Sequence, residues 1–398
     1  MIRSIKTFDL RGQTILMRLD LNVPLSSESG ENIEDDFRIR SCLPTITYSL
    51  SEGASIVIMS HLGRPGGKKT KQHSLIPIGE SIASMLERPI KFSEDCISRD
   101  AIDTSLSLKP GEIHLLENLR FYKEEVENDA EFSNRLSRHG KLYINDAFGT
   151  AHRKHASNVG VVNYFKNYGI GFLIEKEIQY LKEILNKPKR PLVLILGGAK
   201  VSTKIELINR YIHQADKIII GGGMAFTFFK AMGYNIGKSL LESSMVEKAR
   251  SIIDLARLSG KDLMLPVDVI CSKNMDEAPL QSAINIREIP DNLMGLDIGP
   301  RSIKKFNEVL DSAFTVIWNG PMGVFEKSSF SNGTRLIADN LGRIVESGTT
   351  VIAGGGDTSA ALKYFNIMEK LTHVSTGGGA SLELMSGKSL KAIEKLEV

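Results

Sequence analysis

Short apolar runs in the first half of the chain are each followed by polar or charged residues. Asp20-Leu21-Asn22 follows Thr14–Leu19, and His61-Leu62-Gly63-Arg64 follows Ser55–Ser60. Asn118-Leu119-Arg120 follows Ile113–Glu117, and Asp146-Ala147-Phe148-Gly149, leading to His152-Arg153, follows Lys141–Asn145. Arg38 opens a helical stretch. A guanidinium fork binds phosphate or carboxylate bidentately. One such arginine alone reads as a solvated surface residue. Arg38, Arg64, Arg120 and Arg153 on one rim make a basket for a small, strongly anionic molecule that carries a phosphate. His61 and His152 share loops with Arg64 and Arg153. His114 lies inside an apolar run and His213 ends a helical stretch, so both read as structural. Tyr48, Met59 and Phe121 read as core, and Lys68–Lys71 as a solvated loop.

The second half uses a different vocabulary. Its apolar runs end in Gly197-Gly198, Gly221-Gly222-Gly223, Gly354-Gly355-Gly356 and Gly377-Gly378-Gly379, each ahead of a probable helix start. Glycine lets backbone approach a phosphate, and exposed amides at a helix N-terminus favour the anion. Lys200 and Lys204 are spaced to share one helical face and reach the same phosphate. Asp357 and Thr358, directly after a glycine cluster, suit a magnesium ion, which takes one or two carboxylates plus phosphate oxygens. A lone glycine cluster is ordinary turn chemistry; four with a lysine pair point to a nucleotide.

These groups need a scaffold that delivers them to one edge. The first-half runs already named are joined in the second half by Pro191–Leu196, Asp216–Ile220, Asp262–Val267, Ala313–Trp318, Thr349–Ala353 and Leu371–Ser375. Most are short and apolar on both faces, as in buried parallel sheets. Helical spacing fills Arg38–Leu50, Ser74–Leu86, Thr203–Ile212, Ser243–Leu258, Gly333–Val345 and Thr358–Phe365. The alternation predicts α/β architecture. Ten strands exceed one comfortable open sheet. The prediction is therefore two doubly wound parallel-sheet, Rossmann-like domains, with ligands beyond the carboxyl ends of the strands. Glu175–Leu185 reads as a charged amphipathic helix between them, stopped by the proline-bearing segment 186–191. Ser26–Asn32 reads as a polar loop. The expected anatomy is an anion basket and a phosphate cradle facing each other across a cleft, which suits phosphoryl transfer to or from a small phosphorylated metabolite.

Composition narrows the alternatives. The chain has 398 residues, 42% hydrophobic and 24% charged, and 35 glycines. This is the range of globular proteins with a sizeable core. Fifty basic against 47 acidic residues leave a net charge of +3, which argues against a dedicated nucleic-acid binder. Cys42, Cys96 and Cys271 fit neither a metal spacing nor a disulfide framework and suggest a reducing compartment. The N-terminus lacks the apolar core of a signal peptide, and no long apolar run predicts a membrane span. Neither the P-loop pattern nor the dinucleotide fingerprint is present.

The same residues carry a family resemblance. Ile15–Pro24, Ser60–Pro65, Glu117–Phe121, Asn145–Arg153, Gly197–Lys204, Gly221–Phe226, Trp318–Glu326, Gly354–Thr358 and Ser375–Glu383 resemble, in order, the motifs of phosphoglycerate kinases. The likeness runs from about residue 5 to about residue 390. It implies reversible transfer between 1,3-bisphosphoglycerate and ADP, giving 3-phosphoglycerate and ATP. On matching positions, Asp20, Asn22, His61, Gly63, Arg64, Arg120 and Arg153 would hold 3-phosphoglycerate. Arg38 would stabilise the phosphoryl group in flight, with Lys200 moving with it and the amides at Gly377–Gly379, Gly378 among them, beside it. Lys204, Gly355, Gly356, Asp357 and Thr358 would hold nucleotide phosphates, Asp357 as ligand of Mg2+ carried with ATP or ADP. Gly295 and Glu326 would lie near base and ribose.

The resemblance further implies an N-terminal domain of 1–172 plus about 381–398, an interdomain helix of 173–187 serving as hinge, and a nucleotide domain of 188–380. It implies a cytoplasmic monomer, with no nucleic acid or membrane partner. Segment 32–37, ahead of Arg38, departs from the family pattern, and 328–331 is more polar than usual. Segment 272–290, which helps build the family's adenine pocket, matches poorly, which leaves ATP against GTP open. Two other readings stand beside this one: an acyl-phosphate kinase acting on a different carboxylate, and a non-catalytic nucleotide-binding scaffold.

Overall fold

In the computed structural model, which describes residues 2–26 and 32–397, the chain divides by its contacts into two units. The first is Met1–Gln179 with Lys388–Val398, and the second is Tyr180–Gly387. Of the polar loop expected over 26–32, residues 27–31 lie outside the described residues.

The first unit is built on strands β1 (Thr14–Leu19), β2 (Ser55–Met59), β3 (Ile90–Ser93), β4 (Ile113–Leu116), β5 (Leu142–Asp146) and β6 (Tyr168–Ile170). They form one six-stranded sheet in the order β3-β4-β2-β1-β5-β6. Every pairing is parallel. Residues of β2, β4 and β5 are buried without exception, because both faces of the sheet are covered. The chain runs outward from β1 to β2, then returns to place β5 on the other side of β1. That reversal makes a switch point between β1 and β5, where ligand crevices open. Ile2 pairs with Glu397, and Ala392 N donates to Ala151 O, so the C-terminal strip packs within this unit.

The second unit contains β7 (Leu192–Leu196), β8 (Lys217–Ile220), β9 (Asp262–Met264), β10 (Asp268–Ser272), β11 (Ile284–Asn285), β12 (Met294–Ile298), β13 (Thr315–Asn319), β14 (Thr350–Ala353) and β15 (His373–Val374). Six of these form a parallel sheet in the order β15-β14-β13-β7-β8-β9, with its own switch point between β7 and β13. Its core gathers Trp318, Phe306, Leu341 and Val316, all with no solvent exposure. Trp318 Nε1 donates to Gly320 O at 2.8 Å, which satisfies the one polar atom of the buried indole.

Four features differ from the expectation. An antiparallel three-stranded sheet, β11-β10-β12, accompanies the second parallel sheet. Its segments are interrupted by polar residues and have no clean period. Strands β3 and β6 are edge strands of four and three residues, too short to show a pattern. The helix expected over 175–185 is an α-helix over Phe172–Ile178 that continues as a π-turn over Gln179–Ile184, and the two units divide inside it. The first unit regains the chain at Lys388 rather than about 381. Helix Gly379–Met385 stays with the second unit, where the Met385 side chain lies against Gly354.

Candidate functional site

In the first unit, the carboxyl ends of β1, β2, β4 and β5 deliver the expected residues. Asp20 leaves β1 nearly buried, 3.4 Å from Arg38 Nη1, which also donates to Asn22 O at 2.8 Å. Two groups from the β1 end therefore hold the arginine that begins the next helix, Phe37–Ser51. Asn22 Oδ1 accepts from Gly63 N at 2.7 Å and ties the β1 loop to the β2 loop. Gly63 has φ +60, and a Cβ there would fall 2.2 Å from the His73 ring. Arg120 Nη1 donates to Gly63 O at 2.6 Å. The Arg120 loop is held by Asn118, whose amide donates to Leu62 O at 2.8 Å and His73 O at 2.9 Å.

Arg64, Arg120 and Arg153 line one cavity of about 600 Å³, together with Tyr122, Lys123 and His155. Burial, with Arg153 and Arg18 nearby, lowers Arg120 to about 10, so it stays cationic at neutral pH. Burial also pushes Arg153 down from the ordinary arginine range. His61 is held well below the usual histidine range by burial and by the charges of Arg18, Arg120, Arg153 and Arg38. It is therefore a neutral ring among guanidiniums. His152 accepts from Arg153 Nε at 3.3 Å, and its Nδ1 is buried with no partner among the described residues. His114 and His139 sit elsewhere, both hydrogen-bonded to Ser105 inside the unit. His213 lies in a turn on the surface.

One contributor was not anticipated. Arg18 has no solvent exposure and reaches His61 Nδ1 at 3.2 Å from within β1. A charged residue inside the apolar run Thr-Ile-Leu-Met-Arg-Leu was the available signal, because a buried charge needs dedicated partners.

In the second unit the glycine clusters form a backbone cradle around the β7–β13 switch point. Gly197 N donates to Asn319 O at 2.9 Å and Gly198 N to Pro321 O at 2.8 Å. Gly222, at φ +63, lies so close that a Cβ would come within 2.6 Å of Gly198 N. Gly355, at φ +102, leaves room for the Asn319 amide, which donates to Gly354 O at 2.6 Å. Lys204 Nζ donates to Asn319 Oδ1. Burial lowers Lys204 from the ordinary lysine range, and Asp357 opposes that shift. Asp357 is exposed in the first turn of helix Gly356–Tyr364. Thr358 Oγ1 accepts from Gly320 N at 2.7 Å and donates to Gly354 O at 2.9 Å, so its hydroxyl braces the loop. Gly378, at φ +50, caps helix Gly379–Met385.

A cavity of about 350 Å³ brings Gly198, Gly222, Gly295, Glu326 and Asp357 to one lining. Gly295 lies on β12, where a Cβ would meet the Phe226 ring at 2.2 Å. The antiparallel sheet thus supplies an apolar wall with Val269, Met294 and Leu296. The lysine pair differs from expectation. Helix Ile205–Tyr211 starts after Lys204, so Lys200 and Lys204 share no helical face. Between them runs a turn fixed by Ser202 N donating to Glu242 at 3.1 Å, which leaves Lys200 exposed and Lys204 turned inward. Asn319, the partner of Lys204, was missed as a separate residue, although it lies within the quoted Trp318–Glu326 motif.

Among the described residues no cluster of three side chains suits a metal, and no helix is long and apolar enough to cross a membrane. The family model for phosphoglycerate kinase matches residues 5–388. The phosphoglycerate kinase of Chlorobium chlorochromatii is 45% identical over 386 residues, 97% of each chain. The chloroplastic phosphoglycerate kinase of Volvox carteri is 46% identical, over 98% of this chain and 84% of that one. Among solved structures, phosphoglycerate kinase from Coxiella burnetii superposes with a TM-score of 0.89 at 38% identity, covering 100% of this chain and 99% of that one.

Proposed function

This chain belongs to the phosphoglycerate kinase family, the carboxyl-acceptor phosphotransferases of glycolysis, and on that premise we propose how its residues divide the work. Arg64, Arg120 and Arg153 hold the phosphate of 3-phosphoglycerate or 1,3-bisphosphoglycerate, with Asp20, Asn22, His61 and Gly63 shaping the rest of that site. The glycine cradle, Lys204 and Thr358 hold ADP or ATP, and Gly295 and Glu326 flank the nucleoside. The observation that carries this division is one of placement. In each sheet the anion-binding groups lie at the carboxyl ends of the strands about its switch point: guanidiniums in the first, glycines with Lys204 in the second.

In the direction of ATP formation, a β-phosphate oxygen of ADP attacks the acyl phosphorus of 1,3-bisphosphoglycerate. The bond to the carboxyl oxygen breaks, and 3-phosphoglycerate leaves as a carboxylate. The leaving group is already a good one, so no general base is required. Catalysis lies in alignment and in neutralising the equatorial oxygens. Arg38, pre-aimed by Asp20 and Asn22, supplies one positive charge, Lys200 a second, and the amides about Gly378 supply donors. Exposure of Lys200 leaves it free to follow the transferred group.

Asp357 fits a magnesium ion that arrives with the nucleotide. It offers one exposed carboxylate beside a phosphate loop, and such ions take their remaining ligands from phosphate and water. Bound there, the ion would neutralise phosphate charge. The chain acts as a monomer. Three buried free cysteines suit a reducing compartment such as cytoplasm, although the Volvox relative is named chloroplastic.

The test is a coupled assay with 3-phosphoglycerate, ATP and magnesium on wild type and Arg38→Ala. Strong wild-type turnover, nearly lost in the variant with substrate binding largely retained, is expected. A folded wild type that binds ATP yet turns over only another carboxylate would overturn the reading.

A further inference from the structure

Arg18 is enclosed in β1, and each of its nitrogens has a partner. Nε donates to Ser157 Oγ at 2.8 Å, Nη1 donates to the Leu19 carbonyl, and Nη2 lies 3.2 Å from His61 Nδ1. Ser157 passes the connection on. Its hydroxyl donates to Glu125 Oε1 at 2.7 Å and its amide to Glu125 Oε2 at 2.9 Å. Arg18, Ser157 and Glu125 have no solvent exposure, and His61 has 2%. A line of buried side chains therefore runs from Glu125 to the substrate-side loop.

The direction of every hydrogen bond in this line is fixed. A guanidinium donates and does not accept. His61 Nδ1 must therefore turn a lone pair towards Arg18, which leaves the ring proton on Nε2. Ser157 Oγ accepts from Arg18, so its own proton goes to the Glu125 carboxylate. One group favours the opposite tautomer: Asp20 Oδ1 lies 3.9 Å from Nδ1. The Arg18 donor is nearer and charged, so it decides. His61 Nε2 has no protein partner among the described residues, which leaves it for a ligand.

We propose that Glu125 and Ser157 are positioning residues: acting through Arg18, they hold the His61 proton on Nε2 and make that ring a hydrogen-bond donor to the substrate's anionic oxygens. The proposal rests on the placement of His61 in the substrate site. The opposite tautomer would aim a lone pair at an anion and weaken binding. Arg38, Arg120 and Arg153 add positive charge around the ring, and with burial they keep it uncharged. The tautomer, not a protonated ring, is therefore what the line controls.

The test begins on the ligand-free wild-type chain, with nitrogen NMR of labelled histidines and His61→Gln to assign the signal. A bare Nδ1 and a protonated Nε2 from about pH 6 to 8 are expected. Ser157→Ala and Glu125→Gln should each give a mixed tautomer. Each should also raise KM for 3-phosphoglycerate about tenfold, with kcat and the nucleotide KM near wild type, as for lost uniform binding. Glu125→Asp, which keeps the carboxylate, should recover part of the loss. A wild-type proton on Nδ1 would overturn the proposal, and so would an unchanged tautomer in both variants. A His61→Gln chain with unaltered KM for 3-phosphoglycerate, alongside the expected wild-type tautomer, would instead overturn the placement of His61.

Discussion

On the proposed division of work, the two units address anions by opposite means. The first uses side chains: Arg64, Arg120 and Arg153 around a cavity of about 600 Å³, and Arg38 held by Asp20 and Asn22. The second uses backbone: glycines at positive φ, packed so closely that Gly222 has no room for a methyl group, with Lys204 as the inward-facing charge. The difference follows from the ligands. A three-carbon acid must be told from other small anions, and planar guanidinium forks give that discrimination. A polyphosphate chain presents the same oxygens along its length, which amides follow more closely than long side chains do. Damage to the first unit should therefore appear as lost charge and geometry, and damage to the second as steric exclusion.

The sharpest break in this division is expected at the residues given to transfer itself. Arg38→Ala and Lys200→Ala should each lower kcat by about 10²–10³-fold, as loss of one transition-state donor does. The KM values for 3-phosphoglycerate and ATP should move far less. Steady-state kinetics of both variants checks this. A rise in KM with kcat intact would return either residue to ground-state binding.

Acid should separate the units next. His114 and His139 are both lowered to about 4, chiefly by burial. Their hydrogen bonds suit neutral rings. His139 Nε2 donates to Cys96 O at 3.0 Å, so its Nδ1 accepts the Ser105 proton, and His114 Nδ1 must donate to Ser105 Oγ. With folded values below the unfolded 6.5, their stabilisation is complete above pH 6.5 and is lost as pH falls towards 4. The loss is on the order of 3 kcal/mol for each ring. Asp146 in the first unit and Asp297 in the second are each raised to about 7 by burial. A raised carboxyl favours the folded state in acid, but each unit has one, so the difference between units remains. Trp318, the single tryptophan, reports the second unit by fluorescence. Hydrogen exchange at β1 and β4 reports the first. At pH 4.5 the first should open before Trp318 is exposed; loss of both at one midpoint would defeat this.

The same contrast governs what the sequence disclosed. Strands β1, β2, β4, β5, β7, β8, β13 and β14 were legible within a residue or two, because burial on both faces leaves continuous apolar runs. Edge strands β3, β6 and the antiparallel set β10–β12 were not, since half-exposed or short strands carry mixed residues. In the site, charges beyond strand ends could be read from position alone. What could not be read were the residues that hold them. Asn118, Asn319, Ser157 and Glu125 act across 32 to 139 residues of sequence separation, and spacing does not encode such contacts. The Lys200–Lys204 pair failed for the same reason: a contact from Ser202 to Glu242, 40 residues on, replaced the expected helical turn.

Two smaller effects test the comparison from each side. Gly222→Ala forces a side chain into φ +63 and onto Gly198 N. Strain of about 1–3 kcal/mol is expected, with the nucleotide KM raised about tenfold or more and 3-phosphoglycerate binding untouched. Arg120→Lys keeps the positive charge but loses the fork that donates to Gly63 O and presents a flat face to the ligand. If geometry rather than charge defines the first unit, KM for 3-phosphoglycerate should rise about tenfold, roughly 1.4 kcal/mol, with kcat and nucleotide binding near wild type. A lysine that restores wild-type KM would mean charge alone suffices there. The two units would then differ in the origin of their donors but not in how they discriminate.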